Sequence, residues 1–570
     1  MQIKKILQIS IVSILTIFLF SCKEEPKNSN PSGSVLDKSA VVDYSGLNLP
    51  DKPNIVWIVA EDLSPYLPTF GDSTITTPNI SRLAKEGVTY TNVYSPSGVC
   101  APSRAALALG MYPTKSGTMH MRTGPWFSFH VSDEQLKNYE VTTYEANVPP
   151  GVHMHSEYLR RAGYYCTNND KEDYQFRCEM TAWDESSKNA HWKNRDGDEP
   201  FFAIFNFNLT HESKIWAHAK DSLLVPEDLD VPIKPYLPTT EVAKNDVRRM
   251  YSNVKLLDQK VGEILKELED ENLLENTVIF WYSDHGGPLP REKRTLYDSG
   301  LQVPMIIRFP NKQLAEQVDD QLISFVDFKP TLLSLAGIPI PDYVDGRAWM
   351  GKHANAEKRD YIFAAADRFD LKHDRLRAVK DKRFKLIRNY LPNQPYYLPV
   401  SYREQMPIMQ ELLRLDSLGQ LNEYQAQWFR KTKDSIELFD TFKDPNELHN
   451  LASDPKYKEK VQELSEAMDK WIVQTNDLGM IPEKEYLAQR KSYFEEPQTA
   501  TPKATNSEGN WVLDCETEGA SIGFQWIGKD EKPGDRWQIY QGPIQNKEDK
   551  QLVVRAHRIG FKPSEFVVEE

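Results

Sequence analysis

A chain of 570 residues, 40% hydrophobic and 27% charged, is long enough for more than one packed core and too apolar to remain disordered. Its formal net charge of -14 excludes a general nucleic-acid binder, since such proteins set a surplus of Lys and Arg against phosphate. Any anionic ligand must be met by a local cluster of cations.

The first element is an address. MQIKK is followed by ILQISIVSILTIFLF, too short for a comfortable membrane span and the right size for a signal-peptide core. LFSC comes next and resembles the lipobox of bacterial lipoproteins, which implies loss of residues 1–21 and lipidation of Cys22; an ordinary secretory signal is the alternative. Lys23, Glu24 and Glu25 resemble the export signal of Bacteroidota surface lipoproteins. That implies an outer-membrane anchor facing outward, with the periplasmic face as the alternative. Residues 22–50, polar and rich in Ser, Pro and Asn, read as a flexible tether.

PNIVWIVAEDLS opens the folded part. Its apolar run from Ile55 to Ala60 predicts a strand buried on both faces, ending in Glu61 and Asp62. Similar strands are predicted at FFAIFNFNLTH, TVIFWYSDHGG and VPMIIRF, with amphipathic helical stretches such as NVKLLDQKVGEILKELED between them. This alternation predicts an α/β fold with a mostly parallel sheet, whose ligands lie beyond the carboxyl ends of the strands. Three strands end in Glu61 and Asp62, in His211, and in Asp284 and His285. Any one pair reads equally as a helix cap or a satisfied histidine. Together, three carboxylates on one sheet edge need a cation, and oxygen ligation suits Ca²⁺ or Mg²⁺, with the nitrogen of His285 the unusual ligand.

Between the first two of these strands lies CAPSRAALALGMYP. From composition alone Cys100 reads as a small core residue, half of a disulfide, or a reactive group. The stretch resembles the sulfatase signature, Cys-x-Pro-Ser-Arg, through Cys100, Pro102, Ser103, Arg104, Gly110 and Pro113, with Leu109 where Thr is commoner. AEDLS resembles the first metal motif of that family, with Glu61 in place of an aspartate, and YSDHGG the second, with His285 where Asn is commoner. LTHES, REKRTLYDSGLQVP, FVDFKPTLLSLAGIPIP and ELFDTFKDPNELHNLASDP are also similar to sulfatase stretches.

The resemblance implies an alkaline-phosphatase-like fold, in which a mostly parallel sheet flanked by helices carries a smaller C-terminal α/β subdomain. It implies oxidation of Cys100 to formylglycine (3-oxoalanine) by a maturation enzyme, and a Ca²⁺ or Mg²⁺ ion on Glu61, Asp62, Cys100, Asp284 and His285. Arg104, Lys171, His211 and Lys293 are then the remaining catalytic residues. Lys171 comes from DKEDY, where Asp173 stands in the place of a histidine. A sulfate ester repels ordinary nucleophiles, so cations must neutralise its oxygens while a hydroxyl attacks and an acid protonates the departing sugar oxygen.

His120 and Arg122 in GTMHMR, and Arg368 in AAADRFDLKHDRLR, are the candidate sugar-binding residues; exposed turns or a solvated charged face are the alternatives. The aromatic, Pro-rich NYLPNQPYYLP reads as packing or sugar stacking. Expected boundaries are 51–385 for the catalytic domain and 386–495 for the C-terminal subdomain. Five short strand patterns then predict a small appended β-sandwich at 505–570, similar to one found on some glycan enzymes. With Cys22 and Cys100 assigned, Cys166, Cys178 and Cys515 remain, and Cys166 with Cys178 is the one pairing considered.

The function expected is a sulfatase acting on a sulfated polysaccharide or its oligosaccharides, of ulvan or glycosaminoglycan type. SDHGGPLP and DKEDY resemble the heparan N-sulfatase branch, which keeps a sulfamate substrate open. Two further readings are a phosphoester or phosphonate hydrolase of the same superfamily and an inactive glycan-binding lipoprotein.

Overall fold

The computed structural model describes residues 40–121, 137, 141–489 and 497–569. The signal segment, Cys22, most of the tether and Arg122 lie outside the described residues.

β1 (Asn54–Ala60) is buried along its whole length. Its Ile, Val and Trp favour extended backbone, and the period of two sends Ile55, Trp57 and Val59 into one apolar cluster and Val56, Ile58 and Ala60 into another. β2 (Val88–Tyr94), β3 (Tyr165–Asn169), β4 (Glu185–Ser186), β5 (Phe201–Phe207), β6 (Thr277–Ser283), β7 (Gln302–Arg308), β8 (Gln317–Asp319) and β9 (Ile323–Ser324) complete the sheet. Its order is β4-β3-β5-β1-β6-β7-β2-β8, with β9 also on β2. The helix Glu241–Asp270 supplies Val247, Val254, Leu257 and Val261 to one cluster, while the helices Cys100–Leu109, His155–Arg161 and Phe328–Leu335 supply the other. The sheet is thus covered on both faces, as the continuous apolar strands require.

Most pairings are parallel, as expected, but VPMIIRF is not one of them. β7 runs antiparallel to both β6 and β2. The chain between β6 and β7 holds only the short helix Asp298–Leu301, without the covering helix of a full crossover, and so re-enters in the opposite sense. In register, Ala60 faces Phe207 of β5 and Ser283 of β6, so the residues after these three strands leave the sheet side by side.

A second, antiparallel sheet contains β10 (Ile362–Ala366), β11 (Leu376–Lys380), β12 (Phe384–Asn389) and β13 (Ile436–Asp440), in that order. Leu464 and Met468 of the helix Lys458–Gln474 pack on Val379, Leu386 and Leu438 of this sheet. A boundary at 385/386 would cut through β12; the smaller unit begins with β10, because β10, β11 and β12 hydrogen-bond to one another in succession.

At the C-terminal end, β14 (Lys503–Ser507), β15 (Asn510–Asp514) and β18 (Ile544–Gln545) form one antiparallel sheet. β16 (Ser521–Ile527), β17 (Gln538–Ile539), β19 (Gln551–His557) and β20 (Val567–Glu569) form another. Trp511 and Leu513 of the first share an apolar cluster with Phe524, Leu552 and Val554 of the second. This pair of sheets rests on the larger unit through Ser521 Oγ to Glu157 at 2.6 Å and Arg160 to the Trp537 carbonyl at 2.7 Å. Cys166 and Cys178 are both free thiols, which overturns their pairing; Cys166 sits in the main core with its Sγ 3.6 Å from the Ser156 carbonyl.

Candidate active site

The helix Cys100–Leu109 starts where β2 and a short loop deliver the chain to the carboxyl ends of β1 and β6, and it stops at Gly110, whose φ of 69° suits a glycine C-cap. All ten of its residues are buried, so Cys100 opens a helix held on every side. Its Sγ lies 3.3 Å from His285 Nε2 and 4.0 Å from Asp62 Oδ1. Burial raises the thiol, Lys293 and then Lys171 and His285 lower it against opposition from Asp284, and the outcome is a pKa of about 6. Burial depresses His285, but Asp284, Cys100 and Asp62 outweigh it and lift the imidazole to about 10.

Asp62 takes the left-handed backbone, φ 53°, which aspartate tolerates better than most residues. In this conformation its N–H donates to Asp284 Oδ1 at 3.0 Å while its own carboxylate receives the Glu212 N–H at 2.7 Å. Lys293 Nζ donates to both Asp62 oxygens, at 2.9 and 2.8 Å, and lies 3.5 Å from Glu212. Arg104 donates through Nε to Asp284 at 3.0 Å and through Nη1 to Asn206 at 2.6 Å, with Nη2 3.4 Å from Glu61. His211 is held by a 2.8 Å bond between Nδ1 and Ser213 Oγ, and its Nε2 faces Asp62 at 4.0 Å.

Five expected residues, Asp62, Cys100, Asp284, His285 and Lys293, therefore meet at one point, with Arg104 and His211 against it. Asp62, Cys100, Asp284 and His285 are all buried, and one potential ligand atom from each lies within 4.8 Å of the others. Two converging buried carboxylates fit a hard divalent cation; the thiol of Cys100 is the poor member of that donor set and an oxygen at the same position would be a good one.

Glu61 does not join this group. Its longer arm carries the carboxylate to Lys171 and to Arg104, and although burial raises its pKa, Lys171, His211 and Arg104 bring it down to about 2. Lys171 also has Asp173 at 3.6 Å, so Asp173 acts as a second carboxylate on that lysine.

Arg368 is not a sugar-binding residue here. It is 1% exposed, its Nε and Nη2 clasp Glu483 at 2.6 and 2.8 Å, and Nη1 donates to the Met121 and Asp370 carbonyls. The charged run around it is partly exposed, at His373, but its acids are paired rather than solvated: Asp367 meets Arg377 and Asp374 meets Lys433. His120 belongs to the same group, 2.7 Å from the Tyr144 hydroxyl and 3.4 Å from Glu483; burial, with Arg368 assisting and Glu483 opposing, drops it to about 4. Arg368→Ala would leave the buried Glu483 with no guanidinium and only the imidazoles of His120 and His373 beside it, a cost of about 3–5 kcal/mol. We expect the first unfolding transition to fall by roughly 3–5 °C in a thermal melt, because the entropy of unfolding grows with the size of the unit, and an unchanged melt would return Arg368 to the surface.

Three partners escaped the sequence reading. Asn206 is a polar residue within an otherwise apolar strand, and Glu212 and Arg294 directly follow His211 and Lys293. Arg294 bridges Glu212 at 2.9 Å and Asp370 at 2.9 Å, with φ at 73°.

A family model described as Sulfatase matches residues 53–338, and one described as N-sulphoglucosamine sulphohydrolase, C-terminal, matches residues 291–403. Over 592 aligned residues the chain is 48% identical to an ulvan-active sulfatase of Formosa agariphila, with 98% of this chain and 96% of that protein covered. It is 24% identical over 469 residues to the N-sulphoglucosamine sulphohydrolase of Homo sapiens, covering 74% of this chain and 90% of that one. A solved structure of a protein with its substrate D-glucosamine-2-N,6-O-disulfate superposes with a TM-score of 0.54 at 17% identity over 75% of this chain and 98% of the other, which shows a common fold. With its core matched to one family model and nearly its whole length aligned to a sulfatase at 48% identity, the chain belongs to the sulfatase family.

Proposed function

We propose that the protein hydrolyses sulfate esters of a sulfated polysaccharide of the ulvan class, or of its oligosaccharides. The observation that carries this reading is the convergence of Cys100, Asp62, Asp284, His285 and Lys293 in a chain nearly half identical to an ulvan-active sulfatase. Cys100, oxidised to formylglycine by a maturation enzyme, supplies after hydration a hydroxyl that attacks sulfur and a second whose deprotonation expels sulfate. A divalent cation, Ca²⁺ or Mg²⁺, would be held by Asp62, Asp284, His285 and the oxygen at position 100, and supplies charge stabilisation at the sulfate oxygens.

The chain's own side chains do the rest. Lys293, which is buried, and Lys171, which is partly exposed, are ammonium groups that hold sulfate oxygens by charge-assisted hydrogen bonds. Asp284 and Asn206 fix the Arg104 guanidinium beside the nucleophile. His211 stands at the rim of the group, where Nε2 can give a proton to the departing sugar oxygen while Nδ1 stays on Ser213. Anchoring through lipid on Cys22, at the cell surface, is part of the same proposal and rests on LFSC and the residues after it.

The match to the N-sulphoglucosamine sulphohydrolase C-terminal family supports a sulfamate as the second reading. Release of inorganic sulfate from ulvan oligosaccharides and N-sulfated glucosamine, and of inorganic phosphate from a phosphate monoester, should be measured before and after chelation and after return of Ca²⁺ or Mg²⁺. We expect release from the first, lost on chelation and regained with metal. Turnover confined to the sulfamate would select the second reading, and turnover confined to the phosphate ester would sink both.

A further inference from the structure

Most buried guanidinium groups near the site answer to a carboxylate: Arg104 to Asp284, Arg294 to Glu212, Arg368 to Glu483 and Arg377 to Asp477. Arg403 does not. It is 4% exposed, and among the described residues no carboxylate oxygen lies within 4.0 Å of it. Its Nη2 donates to the Leu398 carbonyl at 2.8 Å, and its charge lies over the Tyr397 and Trp428 rings at 5.3 and 4.9 Å. Its Nε is buried with no hydrogen-bond partner. Burial, then repulsion from Arg294, outweighs the opposing pull of Glu212, Tyr397 and Asp370 and brings its pKa down to about 10. A buried cation whose nearest carboxylates, Glu212 and Asp370, stay beyond ion-pair distance is only partly compensated, a cost that a fold bears where an anion is to be received.

Arg403 lines a cavity of about 50 Å³ together with Arg294, Lys372, Phe369, Tyr396 and Trp428. That volume takes a few water-sized groups, the scale of a carboxylate or a sulfate. Two acids also line it: Asp374 is answered by Lys433, and Asp367 meets Arg377 through one oxygen while burial, against Arg377, lifts its carboxyl to about 7 and so reduces its negative charge. The cavity lies next to the reacting centre: Arg294 follows Lys293 in the chain, and the ring of Tyr402, which precedes Arg403, is 6.2 Å from that of His211. A sugar oxygen protonated by His211 places the rest of the glycan on this side.

We propose that this cavity is an anion-binding subsite that takes a carboxylate or a second, non-reacting sulfate of the glycan, with Arg403 as its principal cation. The inference rests on the sulfatase reading and sharpens its substrate to one carrying a second negative charge beside the scissile ester.

The test uses the full-length enzyme, Arg403→Gln and Arg403→Lys, on an acidic sulfated oligosaccharide, its carboxyl-reduced form, its form lacking the non-scissile sulfate, and a small aryl sulfate. The wild type should prefer the fully anionic substrate over one of the two neutralised forms by about ten-fold or more in kcat/KM, and the form that loses turnover identifies the group bound. Arg403→Gln should abolish that preference, and Arg403→Lys should keep part of it. If Arg403→Gln fails to fold, the wild type and Arg403→Lys decide. Equal wild-type turnover of all three oligosaccharides overturns the subsite, as does an equal fractional loss on every substrate in the variants. Sulfate release from the aryl sulfate with no discrimination among glycans refutes the subsite alone; no release from any substrate refutes the sulfatase reading beneath it.

Discussion

Cys100→Ser is expected to leave a folded protein with no measurable turnover, a loss of about 10⁴-fold or more, equivalent to at least about 5.5 kcal/mol of lost transition-state stabilisation. The side chain is nearly the same size and sits among groups that accept a hydroxyl as readily as a thiol, His285 at 3.3 Å and Asp62 at 4.0 Å, so the thermal melt should hardly move. What serine lacks is the second hydroxyl that hydrated formylglycine provides. A single attack would leave a sulfate ester with no internal means of expelling it. Initial rates and peptide mass spectrometry check both halves: the wild-type peptide should carry an aldehyde at Cys100, and the variant should accumulate the mass of one bound sulfate. Fully active enzyme with an unoxidised Cys100 would refute the mechanism.

His211→Ala should cost about 10²–10⁴-fold on a sugar sulfate, the usual range for a lost general acid. On an aryl sulfate with a good leaving group the loss should be far smaller, because a stable phenolate departs without a proton. The geometry makes this discrimination sharp: His211 is held through Nδ1 by Ser213 and makes no bond to the central carboxylates shorter than its 4.0 Å approach to Asp62, so its removal leaves Lys293 on Asp62 and Arg104 on Asp284 undisturbed. The measurement is kcat/KM on both substrates for both proteins. Equal losses would reassign His211 to the architecture of the anion site.

The sequence exposed those features that depend on local pattern. A continuous apolar run marked β1 as buried on both faces, and the polar pairs that end β1, β5 and β6 marked one edge of the sheet. The Cys-x-Pro-Ser-Arg motif at Cys100 was equally visible. Direction and partnership were not. β7 has the same apolar look as β1, and only the connection before it determines that it runs antiparallel. The run around Arg368 reads as solvated because its counter-charges, Glu483, Asp477 and Lys433, lie far along the chain. Glu61 has a metal ligand's position, but its extra methylene sends the carboxylate to Lys171, a contact no spacing rule anticipates.

The order of the strands also sets a clock. β1 lies between β5 and β6, and Asp62 is 222 positions from the Asp284 it contacts. A chain that emerges N-terminus first cannot close its sheet over the CAPSR stretch until β6 has been delivered, and Arg104 precedes its partner Asp284 by 180 residues. At ordinary synthesis rates that separation corresponds to roughly 10–40 s. Throughout that interval the thiol of Cys100 is open to another protein, whereas in the finished fold it is 1% exposed and enclosed by its helix and by β6. The oxidation proposed for Cys100 therefore has a deadline set by topology, and a chain that folds before it is modified remains inactive.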